Sequence, residues 1–321
     1  MKNLIARIAA LLFGMLAAYA VAQPAFPSKP IRLLVGFEPG GPLDTQARII
    51  AQKITQTGGM QMVVENRPGA DAIIASDLVA RSAPDGHTLI LISAGHTMNP
   101  NFVKQLPYHP YNDFTPIVEV SSAPFILVVH PSLPVKTTQE FIRYAKERPG
   151  QLNYGSTGTG STLMLAMELF NAMAGVKMTH IPYKGGAPAT ADLIAGRTQV
   201  MMNNVVSTLQ NARAGKLRAL AVTTLQRSAS APELPPVSDT LPGYEVEAWY
   251  GIVGPKGLPT PILARLNAEI VKALTQPDVR ERFVALGLQS VGGSPEQFAR
   301  LIQSDLKKWA KVVANSGITP E

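Results

Sequence analysis

The sequence predicts an α/β protein of two units, each a mostly parallel sheet flanked by helices. Three observations predict it. From Ile31 onward, short β-rich runs alternate with runs of helical spacing. The connections between them are short and rich in Gly, Pro, Asn and Asp. The chain of 321 residues has length for about two domains, and 46% hydrophobic residues can supply their cores.

The elements follow in order. "IRLLVGF" is a buried strand, and "DTQARIIAQKITQ" is a helix with Asp44 as its expected N-cap. "MQMVVEN" is the next strand. "RPGAD" then turns into the helix "AIIASDLVARSA", and Asp85-Gly86 precedes the strand "HTLILISA". In the second unit "FILVVHP" is a strand, "TTQEFIRYAKERPG" a helix stopped by Pro-Gly, and "LNYGS" a short strand. "TGTGSTLMLAMELFNAMAG", "MTHIPYKGG", the helix "APATADLIAGR", the strand "TQVMMNN", the helix "VSTLQNARAG" and the strand "LRALAVTT" come next. "SASAPELPPVSDTLPGY", rich in Ser and Pro, reads as a crossing or surface loop. "AWYGIVGP" returns to a strand, followed by helices over about 260–285 and 295–315, the last opened by Ser294-Pro295-Glu296.

The N-terminus reads as a leader. Lys2 and Arg7 give a basic start, residues 8–21 are almost wholly apolar, and Ala20-Val21-Ala22 is a small-x-small cleavage signal. A retained anchor is the alternative, but the apolar run is short for a membrane span and stops at the cleavage motif. The chain has no cysteine, which excludes disulfides, thiolate chemistry and cysteine-held metals. Its basic residues are scattered, so the net charge of +7 points to a mild field favouring anions rather than to nucleic acid.

Two glycine-rich turns are candidate binding sites. "GFEPGGPLD" (36–44) lies beyond the end of the first strand, where ligands of such sheets gather. Its Gly-Gly pair lets backbone approach a ligand, and the helix start suits an anion. A tight turn without a ligand fits equally. "GSTGTGST" (155–162) combines three glycines, hydroxyls and a helix start into an anion nest, or is a flexible cap. It lacks the lysine of a nucleotide-binding loop. Phe37-Glu38-Pro39-Gly40-Gly41-Pro42 is echoed by Tyr183-Lys184-Gly185-Gly186-Ala187-Pro188 in the second unit. Asn203-Asn204 ends a strand and is either cleft-lining or an ordinary turn.

Catalysis finds little support. His87, His96, His109, His130 and His180 are dispersed without zinc-type spacing, and there is no Gly-x-Ser-x-Gly elbow. His96, after a strand end, is a candidate pocket residue or a packed histidine. Asp44 and Asp71 sit at helix starts, where capping explains them better than a catalytic pair. The residues therefore point to binding without chemistry, with no metal and no cofactor.

These motifs resemble a known family. "PSKPIRLLVGFEPGGPLD", "VVENRPGA", "APDGHTLIL", "NYGSTGTGS", "HIPYKGGAPA", "AGKLRALAVTT" and "LPGYEVEAWYGIVGP" make the chain similar to the substrate-binding receptors of tripartite tricarboxylate transporters, also called Bug receptors. The resemblance implies the two-lobed periplasmic-binding-protein fold, type II-like, with two crossovers. It divides the chain into a signal peptide (1–22), the first part of lobe 1 (23–122), lobe 2 (123–243) and a return to lobe 1 (244–321). Crossings are expected near 121–124 and 240–246, where prolines and short polar residues collect. It implies a periplasmic, monomeric receptor that hands a small carboxylate to membrane transporter subunits. The alternatives are a binding protein that signals to a membrane kinase, or a secreted enzyme using Asp44 or His96 as a base.

Carried over residue by residue, the ligand site takes Phe37, Gly40, Gly41, Asp44 and the loop at Ala70 from lobe 1. Lobe 2 supplies Ser156, Thr157, Thr159, Gly160 and Ser161, with Tyr183, Gly185 and Asn203 lining the cleft. The chain departs from the family pattern at Asp71, where glycine is usual, at Glu38, and at Asn203, where aspartate is frequent. Asp71 thus enters the site as a side chain where backbone usually meets the ligand; either acidic departure alters ligand choice or favours a ligand carrying an amine, whereas Asn203 in place of aspartate pulls the other way.

Overall fold

The computed structural model describes residues 26–57 and 59–316, so the leader expected over 1–22 lies outside the described residues. The first βαβαβ unit forms as its periodicity predicts. Strands β1 (Ile31–Val35), β2 (Met62–Asn66) and β3 (Thr88–Ser93) are joined by helices α1 (Pro42–Gln56) and α2 (Ile73–Ala80), and β1 pairs in parallel with both others. All but Arg32 of β1 is buried, which is what a parallel strand covered on both faces requires. A short helix α3 (Gly95–Met98) follows β3 directly.

The largest departure from the sequence expectation is β4, which spans Phe114–Val129 rather than beginning near Phe125. Pro116, Ser121, Ser122 and Pro124 disguise its first two thirds. The ladder to β9 (Glu247–Pro255) tolerates Pro116 at a register shift, and Pro124 falls at the last pair before β4 changes partners. Up to Pro124, β4 pairs with β9 and with β10 (Gln289–Gly292). From Phe125 it pairs with β7 (Val200–Asn204) and β8 (Arg218–Val222). One strand thereby serves both lobes. The chain returns where Val246 N donates to Thr223 O and the next residue, Glu247, opens β9.

Lobe 2 is completed by α4 (Thr138–Lys146), β5 (Asn153–Ser156), α5 (Thr162–Ala174), β6 (Thr179–Pro182), α6 (Gly186–Ile194) and α7 (Val205–Arg213), with β5 parallel to β6 and β7. Among the described residues every antiparallel strand pair involves β4 or β9, the two crossing strands. The helix expected over about 260–285 is two helices, α8 (Thr260–Leu274) and α9 (Pro277–Ala285), because Pro277 disfavours helical geometry at Gln276.

The last helix, α10 (Pro295–Ser316), packs against β4, α3 of lobe 1 and α5 of lobe 2. Its Phe298, Ile302 and Trp309 join a core that also holds Ile90 of β3 and Phe170 of α5. Trp249 on β9 donates its indole N–H to Asp305 of α10 at 2.6 Å, and both side chains are buried. This charged hydrogen bond fastens the crossing strand to the helix that touches both lobes.

Candidate functional site

The loops at the carboxyl ends of β1, β2 and β3 face those after β5 and β7 across the crossing strands. Three adjoining cavities occupy that cleft. The central one, about 300 Å³, is walled by Asp71, Ser93, Gly95 and Asn99 of lobe 1 and by Thr157 and residues 160–163 of lobe 2. Phe125, Ala248, Trp249 and Tyr250 of the crossing strands complete it. A second, about 680 Å³, lies beyond Asp71 and Ser161 and is lined by Ala70, Phe102, Thr159 and Gly160. A third, about 430 Å³, lies beyond Phe125 and Tyr250 and is lined by Gly40, Pro42 and Asn204.

The lobe 1 loop at 36–44 is built from its polar residues. Gly41, not Asp44, is the N-cap of α1, and Pro42 takes the first turn. Asp44 instead lies within that turn and accepts from Gly40 N at 2.9 Å, Asn66 Nδ2 at 2.9 Å and Arg48 Nε at 2.8 Å. The Arg48 guanidinium, helped by these amides, pulls the Asp44 carboxyl down to about 2 although burial opposes it. Asn66 also donates to Phe37 O at 3.1 Å, so the loop is tied to β2. Phe37 packs on the lobe 1 core. Phe37, Gly41 and Asp44 line none of the three cavities; they set the shape of the turn.

The second loop is unusual. Ala70, Asp71 and Ala72 have φ of 46°, 51° and 67°, three successive residues in the left-handed region. Such backbone is unfavourable for residues with a Cβ and persists only when its surroundings hold it. Ala72 is the N-cap of α2 and has no side-chain cap, so the expectation that Asp71 caps this helix is corrected. The Asp71 carboxylate instead lies over Gly95, where an added Cβ would be 3.5 Å from Oδ2. Asn99, turned so that its amide nitrogen meets acceptors, donates to that Oδ2 at 3.1 Å and to Gly95 O at 3.2 Å. Asp71 is exposed in the open cleft, and the protein packed around it pushes its carboxyl above the usual carboxylate range. Glu38 is exposed and lines none of the three cavities.

In lobe 2, Gly158 and Gly160 adopt φ of 131° and 79° and bend the chain into α5. Ser161 caps α5, its hydroxyl accepting from Met164 N at 3.3 Å. Ser156 is wholly buried; its hydroxyl accepts from Gly158 N at 3.1 Å and lies 2.6 Å from His180 Nε2. It braces the loop and does not reach the cleft. Tyr183 donates to Asp192 at 2.9 Å, Gly185 is the N-cap of α6, and buried Asn203 donates to Thr190 Oγ1 at 3.1 Å. These three also line none of the three cavities.

The structure thus brings Asp71, Thr157, Gly160 and Ser161 together in the central cavity, with Ala70 and Thr159 next to them and Gly40 in the third cavity. Sequence reasoning missed Ser93, Gly95, Asn99, Phe125 and residues 248–250. The rule that ligands gather beyond strand ends would have found Ser93 and Gly95, which follow "HTLILI" directly. His96 is no pocket residue: it is buried, stacked on Tyr108 and edge-on to Phe114, with Nε2 3.0 Å from Pro110 O. Burial drops its pKa to about 4. Among the described residues no group of His, Asp or Glu stands where it could hold a metal ion, and no helix is long and apolar enough to cross a membrane.

Two α/β lobes joined by crossing strands, with a polar cleft between their strand ends, define a solute-binding receptor. The chain belongs to the tripartite tricarboxylate transporter receptor family, whose model matches residues 46–318. It is 42% identical over 291 residues to a UPF0065 protein of the tcbD-tcbE intergenic region of Pseudomonas sp. strain P51, covering 90% of this chain and 87% of that one. The R. palustris Rpa4515 structure with adipate superposes with a TM-score of 0.74 at 35% identity, covering 92% of this chain and 100% of that one. MatC from Rhodopseudomonas palustris with bound malate gives 0.70 at 34%, covering 90% and 100%. The family and fold are those of substrate-binding receptors for tripartite transporters.

Proposed function

We propose that the protein is an extracytoplasmic receptor that holds a small carboxylate in the central cavity and delivers it to a tripartite tricarboxylate-type membrane transporter. One observation carries this. Opposite Asp71 the cavity offers the Thr157 and Ser161 hydroxyls and the free N–H groups at the start of α5, with the Ser93 hydroxyl beside them, yet no lysine or arginine among its described residues. Such a wall suits an anion held by hydrogen bonds. The adipate and malate of the two neighbouring structures support the same ligand class.

The ligand leaves unchanged, because the bases a secreted enzyme would need are engaged elsewhere: Asp44 with Arg48, and His96 within the core. The lobes hinge where β4 changes partners after Pro124 and where β9 begins at Glu247, and ligand shifts the population toward the closed form. The protein acts in the periplasm as a monomer after cleavage following Ala22.

Native mass spectrometry of protein taken directly from the periplasm tests the reading. A bound small carboxylate is expected. Incubating the protein with a carboxylate panel and recovering product in place of bound, unchanged compound would contradict it. Capture of transporter membrane subunits from solubilised membranes, rather than of a sensor kinase, checks the partner.

A further inference from the structure

Among the described residues, Asp71 is the one charged side chain lining the three cleft cavities. Asp44 is paired with Arg48, Glu65 with Arg32, Asp192 with Arg197 and Asp305 with Lys308, whereas Asp71, like Glu119 and Glu247 outside the cleft, has no salt bridge. No basic side chain offsets Asp71 among the described residues. Its contact is the Asn99 amide, which leaves carboxylate lone pairs facing the cavity.

The fold also holds this carboxylate in place at a cost. Three left-handed residues in succession, two of them alanines, carry it. Ala72 leans on the bare Gly36, where any Cβ would collide with it. On the facing side of the cavity stand the Thr157 and Ser161 hydroxyls and the N–H groups at the start of α5, which can donate, while the Thr162 hydroxyl donates to Met98 Sδ. The cavity is therefore bipolar, with donors on the lobe 2 wall and a carboxylate without a salt bridge on the lobe 1 wall.

We infer that Asp71 receives a cationic amine of the ligand, so that the cleft selects carboxylates that also carry an amino group. This rests on the carboxylate reading above and adds the second half of the ligand. A plain dicarboxylate would set its distal charge beside the like charge of Asp71. An amino-carboxylate places opposite charges at both walls.

Titration calorimetry on the mature protein at neutral pH tests it with matched pairs: aspartate and succinate, glutamate and glutarate, 4-aminobutyrate and butyrate. In at least one pair the amine-bearing member is expected to bind tighter by about tenfold or more, the scale of one charged hydrogen bond. Asp71→Asn is expected to erase that advantage from both sides, weakening the amine-bearing member and tightening the plain dicarboxylates that the like charge had opposed. Plain members binding as tightly as their amino partners in every pair would overturn the inference and leave the carboxylate reading standing. An amine advantage that survives in Asp71→Asn would overturn it as well. Absence of binding by every compound would overturn both.

Discussion

Gly36 and Ala72 approach so closely that a methyl group on Gly36 would fall 2.2 Å from the Ala72 Cβ. The end of β1 and the left-handed turn before α2 are therefore one packed unit. Gly36→Ala is expected to push the turn outward, destabilising the fold by about 1–3 kcal/mol as overpacking does. Ligand affinity should fall with it, since the same turn carries Asp71. Urea unfolding and calorimetry read the two effects; an unchanged midpoint would show that the turn yields freely.

Ala70 is exposed with φ of 46°, and a glycine there adopts that backbone without a Cβ penalty. Relief of about 1–2 kcal/mol of strain outweighs the extra unfolded-state freedom of about 0.4–1 kcal/mol. Ala70→Gly is thus expected to raise the melting temperature by a degree or more, at roughly 2–4 °C per kcal/mol. Asp71→Gly should behave alike in stability, because no helix cap is lost, while changing ligand preference. Early melting in either variant would count against the strain.

Asp44 gives a pH signature. Its folded pKa of about 2 lies below its ordinary 3.8, so its contribution is present above pH 4 and is lost as pH falls through 2. The pairing with half-exposed Arg48 is worth about 1–2 kcal/mol after solvent screening. Asp44→Asn should therefore be less stable than wild type at neutral pH, with the gap closing near pH 2. A gap that does not depend on pH would assign Asp44 a purely steric role.

Much of the βα alternation was legible because each buried strand and amphipathic helix carries its own period. The crossing strand β4 was not, since Pro116 and Pro124 are breakers by local rules and only a ladder to β9 with shifted register accommodates them. The site was legible as strand ends. Which strand ends share one cavity depends on how the lobes face each other, and no local pattern states that. Gly40 and Gly41 stand out in the sequence, yet Gly40 borders the third cavity and Gly41 none of the three. Ser93 and Asn99, plain in sequence, wall the central one.

Trp249 and Trp309 are both packed in the core, and of the two Trp249 lines the central cavity. In Trp309→Phe, emission from Trp249 alone is expected to change as ligand closes the cleft. Small-angle scattering should show compaction in the same titration. An unchanged radius under saturating ligand would contradict the hinge at β4 and β9.

The most direct measurement is a crystal structure of the mature protein with a small carboxylate that binds it. The carboxylate is expected in the central cavity, within hydrogen-bonding distance of the Thr157 or Ser161 hydroxyl and the N–H groups opening α5, with no arginine or lysine in contact. A carboxylate bound outside the cleft, or held there by a basic side chain that moves in to meet it, would contradict the account.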